Sequence, residues 1–158
     1  MNWHESDNME RYSRQMLYNK IGVEGQRLIA SRTVLIVGTG ALGSLSGELL
    51  ARAGVGKLIL IDRDYVEYSN LQRQTLYTEK DADEKKPKVI AAKERLLEIR
   101  PDLEIDAHIA HCDGPLLEDL AEEADLLLDG TDNFDTRLLI NDVAYKYGKP
   151  WVYAACVE

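Results

Sequence analysis

Cysteine is scarce in this 158-residue chain. Its two copies, Cys112 and Cys156, form neither a CxxC pair nor a framework, which sets aside a disulfide scaffold and a self-contained cysteine zinc site. Long hydrophobic runs are missing as well. None approaches the roughly 20 residues of a membrane span, and the acidic start MNWHESDNME is unlike a signal peptide. Positive charge is in deficit, with 19 Lys and Arg against 28 Asp and Glu and a net charge of −9. That balance argues against nonspecific nucleic-acid binding and against an anionic membrane surface. Repeats and low-complexity tracts are absent too. What is left reads as a reduced, cytoplasmic globular protein of about one domain. With 45% hydrophobic residues it has the material for a core. A domain of this size buries about two thirds of its unfolded surface without metal or disulfide staples.

Two hydrophobic periods alternate along the chain. TVLIV (33–37) and KLILID (57–62) are continuous apolar runs too short for helices, as in strands buried on both faces. LEIDAHI (103–109), ADLLLD (124–129) and PWVYAAC (150–156) add three more strands. Between them, Leu42, Leu45, Leu49 and Ala53 recur at helical spacing and predict a helix over 41–53 stopped by Gly54. Val89, Ala92, Leu96 and Ile99 share one face of a helix ended by Pro101. Residues 115–123 form a short acidic helix, and Leu139, Val143 and Tyr147 line up in a helix over 133–147 terminated by Gly148. Residues 63–85 are polar and irregular, a length that suggests function.

Strands alternating with helices require right-handed parallel crossovers. The fold class is therefore α/β: a Rossmann-like doubly wound, mostly parallel sheet ordered 3-2-1-4-5, with helices on both faces. A helical arm over residues 1–30 precedes it. The last strand ends two residues before Glu158 with no helix behind it, an edge that predicts a longer chain of which 1–158 is one domain.

GTGALG (38–43) has the form G-x-G-x-x-G and lies after a strand at the start of a helix. There, glycines let backbone approach a phosphate, and the helix N-terminus offers unpaired N–H groups and partial positive charge. Gly38, Gly40, Ala41 and Gly43 are the candidate nucleotide contacts of this loop. Alone the pattern is weak, because glycines also serve close strand–helix packing. Asp62 ends the second strand, where a carboxylate can accept from both ribose hydroxyls; the plain alternative is a solvated residue starting a turn. Up to here NAD, ATP and S-adenosylmethionine all stay open.

The segment DRDYVEYSNLQRQTLY (62–77) narrows the choice. A dehydrogenase has no need of Asn70, Arg73 and Gln74 beside its ribose strand, whereas a triphosphate needs cations there. Arg73 offers a planar fork for phosphate oxygens. Lys88, pinned by Pro87 at a helix start, offers a compact charge, while Lys85 and Lys86 read as a solvated basic run. LLLDGTDNFDTR (126–137) reaches the same end of the sheet. Its Asp132 can hold magnesium, which takes one or two carboxylates with phosphate oxygens and water; otherwise Thr131 or Asp132 caps the next helix. Asp129 reads as a solvated strand end. His4, His108 and His111 lack metal-ligand spacing, and Cys156 reads as a small buried hydrophobe. Arg137 and Asn141, four apart on one helix face, read as packing or subunit contact before catalysis.

RYSRQ (11–15), GTGALG (38–43), Asp62, SNLQRQ (69–74), PKV (87–89) and GTDN (130–133) occur in this order and at these separations. In them the sequence resembles the ThiF/MoeB/HesA family, the ubiquitin-activating-enzyme-like adenylyltransferases. The resemblance implies that ATP and Mg2+ activate the C-terminal glycine carboxylate of a ubiquitin-like sulfur-carrier protein with a Gly-Gly tail, of the thiamin or molybdopterin type. The products are an acyl-adenylate and pyrophosphate. By the same resemblance Asp62 is the ribose ligand, and Asn70, Arg73 and Lys88 are phosphate contacts with Gln74 beside them. Asp132 is the magnesium-organising carboxylate. Arg14 reaches the phosphates from the neighbouring subunit of a homodimer, so that Arg14, Arg73, Lys88 and Asp132 form the catalytic set. Adenine contacts are expected around 109–112, and Cys112 matches no reactive position of the family. The paired CxxC motifs for zinc that members carry further along lie outside 1–158. The rival readings are a Rossmann oxidoreductase or methyltransferase, and a noncatalytic carrier-binding module.

The chemistry agrees with the resemblance. A carboxylate substrate is already ionised at pH 7 and needs no serine, cysteine or base from the enzyme. What remains is alignment and the neutralising of phosphate charge.

Overall fold

Aliphatic runs with side chains on both faces need cover on both sides, and the fold provides it. In the computed structural model, which describes residues 10–155, five parallel strands pair into one sheet. They are β1 (Thr33–Val37), β2 (Lys57–Asp62), β3 (Glu104–Ile109), β4 (Leu126–Asp129) and β5 (Trp151–Tyr153), in the order β3-β2-β1-β4-β5. This is the expected order. His4, Cys156 and the first nine residues of the expected arm lie outside the described residues.

Successive β1 side chains point to opposite faces of the pleat. Val34 and Ile36 join Leu58 and Leu60 of β2 on one face, under α3 (Ala41–Ala53) and α5 (Lys88–Ile99). Leu35 and Val37 join Ile59, Ile61 and Leu127 on the other, under α6 (Gly114–Glu123) and α7 (Phe134–Tyr147). Val89, Ala92 and Leu96 of α5 face the first layer and Val143 of α7 the second, as their spacing implied. Gly54 and Gly148 end α3 and α7 with φ of +96° and +62°, the left-handed turn that glycine adopts without strain. A 3-10 turn at Tyr68–Asn70 and the short α4 (Glu79–Asp83) occupy the stretch between β2 and α5.

The leucines that mark α3 by their spacing do not face the core. Leu45 is 47% exposed and Leu49 58%, and the buried positions are Gly43, Ser44, Gly47 and Ala51. The reason is backbone proximity. A Cβ on Gly43 would run into the Gly38 carbonyl, and one on Gly47 would lie 3.5 Å from Ile36 Cδ1. The helix sits so close to β1 that only small residues fit between them, and Leu45 and Leu49 turn outward.

The arm begins, among the described residues, with α1 (Ser13–Met16) and α2 (Gly22–Ala30). It docks at the far end of α3, where helix carbonyls lack intrahelical donors. Gln15 Nε2 and Gln26 Nε2 each donate to Ala53 O at 3.0 Å.

Truncating the centre of the sheet tests this layering. Leu35→Ala, at a fully buried position, is expected to cost about 2–5 kcal/mol. It should appear as a lowered urea midpoint with an unchanged slope; a midpoint like that of the parent would contradict the packing described.

Candidate functional site

The C-terminal ends of the strands open into one cleft of about 970 Å³, the place where doubly wound sheets take their ligands. Gly38, Gly40 and Ala41 line it from the loop after β1. Gly38 has φ +86°, and a Cβ there would stand 2.9 Å from the Gly130 carbonyl oxygen. Gly43 does not line the cleft. It lies beneath, where α3 meets the loop and packs against the Gly38 carbonyl.

Asp62 closes β2 against this loop. Its Oδ2 accepts from Thr39 N at 2.7 Å and from Thr39 Oγ1 at 3.0 Å, and its Oδ1 accepts from Asp64 N at 2.9 Å. It is therefore no loose solvated carboxylate: it latches the first turn of the glycine loop and keeps lone pairs towards the cleft. Tyr77 completes the latch by donating to Thr39 O at 2.6 Å. Burial pushes the Tyr77 hydroxyl well above the ordinary phenol range, so it remains a donor.

The segment after β2 brings Asn70, Arg73 and Gln74 to the same wall. Asn70 Oδ1 accepts from Glu67 N at 3.1 Å, one half of a capping box on the 3-10 turn, which leaves the amide N–H groups for a ligand. Arg73 is exposed and uses one nitrogen on Ser69 O at 3.0 Å. Gln74 is only 3% exposed, yet its Oε1 has no donor. A buried amide left unmatched on the wall of a cleft is what a ligand-binding position looks like before the ligand arrives.

Lys88 opens α5 and is 7% exposed, its Nζ 3.1 Å from Asp64 Oδ2. Lys86 corrects the solvated reading. Its ammonium is enclosed by Asp81, Glu84 and Glu94 at 3.3, 3.4 and 2.7 Å. Hydrogen bonding to Glu94 first, then to Asp81 and Glu84, raises its pKa, so it is a structural cation. Lys85 is exposed, with a φ of +46°.

The loop after β4 faces Lys88 and Arg73 across the cleft. Asp129, read from the sequence as a solvated strand end, is fully buried. A buried carboxylate needs a cation and several donors. Asp129 Oδ2 accepts from Arg137 Nε at 2.7 Å, and Oδ1 from Thr131 N and Oγ1 at 2.8 and 2.6 Å. The hydrogen bond to Asp129 raises the Arg137 pKa further. Asn133, not Thr131 or Asp132, caps α7, with Oδ1 accepting from Thr136 N at 2.9 Å. Asp132 is thereby left exposed on the cleft with no partner among the described residues.

Magnesium and a nucleotide fit this donor set. Among the described residues no group of three His, Cys, Asp or Glu could cage a metal. A single free carboxylate suits an ion that takes its other ligands from phosphate and water. On the β3 side Ala110, His111 and Cys112 line the cleft, over the range expected for adenine. Arg14 is not brought to the cleft of its own chain. It is exposed on α1, beside Gln15 at the opposite end of α3.

A glycine loop on a helix N-terminus, a latched carboxylate at the β2 end and cations across from a free aspartate define a nucleotide-binding α/β protein of the doubly wound class. Residues 12–158 match the ThiF family, and the chain belongs to it. It is 46% identical over 147 residues to the sulfur carrier protein ThiS adenylyltransferase of Bacillus subtilis (strain 168), covering 93% of this chain and 44% of that protein. To the ThiS adenylyltransferase of Escherichia coli (strain K12) it is 42% identical, covering 93% and 58%. Among solved structures, that of E. coli MccB with AMPCPP and MccA superimposes with a TM-score of 0.78 at 30% identity, covering 94% of this chain and 45% of that one. The chain thus spans about half the length of the curated relatives it matches.

Burial pushes the Cys112 thiol up to about 11, with Asp113 adding to the rise. At pH 8 the Cys112 peptide should therefore alkylate with iodoacetamide about 100-fold more slowly than a free cysteine, since only the thiolate reacts. The rate should climb as pH approaches 11. Peptide mass spectrometry reads it, and labelling at the rate of free cysteine would refute the assignment.

Proposed function

We propose that the protein adenylates the C-terminal glycine carboxylate of a ubiquitin-like sulfur-carrier protein with a Gly-Gly tail, of the thiamin or molybdopterin type, and releases pyrophosphate. One observation carries this reading. Arg73, Lys88 and the free amide of Asn70 converge on the glycine loop opposite an unpartnered Asp132, an array suited to a triphosphate and its metal. The names of the two ThiS adenylyltransferases and of the MccB structure with AMPCPP support it. A hydride or methyl donor would leave these cations and Asp132 without a task.

In the proposed reaction a carboxylate oxygen of the carrier attacks the α-phosphorus of ATP. The bond from that phosphorus to the bridging oxygen breaks, and pyrophosphate leaves with the electron pair. No proton has to be removed, so no base is required. The backbone N–H groups at the start of α3 hold phosphate oxygens. Arg73 and Lys88 take up the charge that grows on the departing pyrophosphate, Lys88 turning from Asp64 towards phosphate. Asn70 and Gln74 orient the chain of phosphates, and Asp62 takes the ribose hydroxyls. Magnesium held by Asp132 would supply further neutralisation of the triphosphate.

Arg14 enters this scheme only in a homodimer. The 13 residues of α3 put about 20 Å between its two ends at 1.5 Å per residue, so Arg14 serves the phosphates of a second subunit or none. The exposed Leu45 and Leu49 of α3 offer apolar surface for such a subunit contact. The reading is of a cytoplasmic enzyme, where ATP and magnesium are at hand.

Calorimetric titration of this chain should give magnesium-dependent ATP binding and no response to NAD or S-adenosylmethionine; the reverse pattern would overturn the function and leave the fold standing. Arg73→Ala should weaken MgATP binding about tenfold or more, the scale of a lost charged hydrogen bond, at an unchanged melting temperature. In pyrophosphate exchange, mixing Arg14→Ala with Asp132→Ala subunits should restore part of the activity each has lost. Proven heterodimers without recovery would count against action across subunits.

A further inference from the structure

Among the described residues Asp132 has no side-chain partner to aim it, so within them its direction comes from the backbone of residues 129–133. That backbone is fixed from inside at three points. Asp129 Oδ1 binds Thr131 N and Oγ1, Gly130 N donates to Val37 O at 2.8 Å, and Asn133 caps α7. From outside, among the described residues, a single side chain holds it. Arg137 donates through Nε to the buried Asp129 at 2.7 Å and through a terminal nitrogen to Thr131 O at 3.0 Å. The same nitrogen reaches Ala154 O, beyond β5, at 3.4 Å. Its guanidinium lies between two rings, 4.6 Å from the Tyr153 centroid and 5.3 Å from that of Phe134.

We propose that Arg137 is a positioning residue that sets the angle at which Asp132 meets magnesium and ties this loop to the segment after β5. The proposal rests on the adenylation reading. Arg137 touches neither metal nor phosphate. It acts by clamping the carbonyl next to Asp132 and the carboxylate three residues before it. A planar fork is required: one ammonium cannot serve Asp129, Thr131 O and Ala154 O together while stacking between rings. Tyr153 and Ala155 also line the cleft, so the clamp joins the metal loop to the wall formed by the last strand.

The test is ATP affinity by calorimetry, in EDTA and in excess magnesium, for the parent and for Arg137→Lys. ATP affinity in EDTA should stay within about twofold of the parent. The gain on adding magnesium should shrink at least about fivefold, the scale of one lost hydrogen bond. In an Asp132→Ala background the same substitution should change nothing further, because its effect runs through that carboxylate. A merely structural role would weaken both affinities in proportion and would persist in that background. If Arg137→Lys does not fold, the pair Asp129→Asn with Arg137→Gln removes the buried charge along with its partner and should show the same lost magnesium gain. A parent without magnesium-dependent ATP binding would overturn the adenylation reading and this role with it. A parent that responds, beside a variant that responds equally, would overturn the role of Arg137 alone.

Discussion

Three glycines make the site by leaving no room for anything else. Gly38, Gly43 and Gly130 cross with backbone against backbone, and a Cβ on Gly130 would stand 2.5 Å from the Gly38 carbonyl oxygen. This crossing sets how near α3 lies to β1 and how near the loop after β4 lies to the glycine loop. It therefore fixes the spacing between the N-terminus of α3 and the loop that carries Asp132. Dispersion and hydrophobic burial in the two core layers stabilise the sheet, but they act at any distance the side chains allow. The glycines decide the distance.

The strands and their order were legible because a sheet covered on both faces writes itself as unbroken aliphatic runs, and the helix ends were legible in Gly54 and Gly148. The face of α3 was not. Leucine spacing marks a helix but assumes that large apolar residues point inwards, and here backbone proximity reserves the inner face for Gly43, Ser44 and Gly47. The candidate nucleotide wall was legible as motif, and residues from Gly38 to Asp132 do gather at one cleft. Asp129 and Lys86 were misread for a shared reason. Whether a charge is solvated depends on partners elsewhere in the fold, Arg137 and the chain beyond β5 in one case, Glu94 on α5 in the other. The Asp129–Arg137 separation along DGTDNFDTR (129–137) was the available signal, a carboxylate ending a buried strand with an arginine inside the next helix. Gly43 was visible as part of the loop pattern, yet nothing in the pattern separates a glycine that touches a ligand from one that lets a helix in.

The cleft is built of charges with unequal commitments. Arg137 is engaged by the Asp129 carboxylate and two backbone carbonyls, and Lys86 by three carboxylates. Lys88 is held by one exposed carboxylate, and Arg73 by a single carbonyl. The gradation separates cations that hold the protein together from those free to change partner when an anion enters. The cleft is not a uniformly cationic wall: Asp62, Asp64, Glu67 and Asp132 line it beside Arg63, Arg73, Lys88 and Arg137.

Asp62 serves two masters at once. With Thr39 on one oxygen and Asp64 on the other, the carboxylate is a strut of the cleft wall, held in one orientation by the fold itself. The entropic cost of ordering it is met during folding, so the ribose contact proposed for it would draw on a rigid acceptor. A substitution at this position would also unlatch Thr39 at the first turn of the glycine loop. At the end of β3, by contrast, His111 borders the cleft with no side-chain hydrogen bond among the described residues, so its substitution leaves the latch intact.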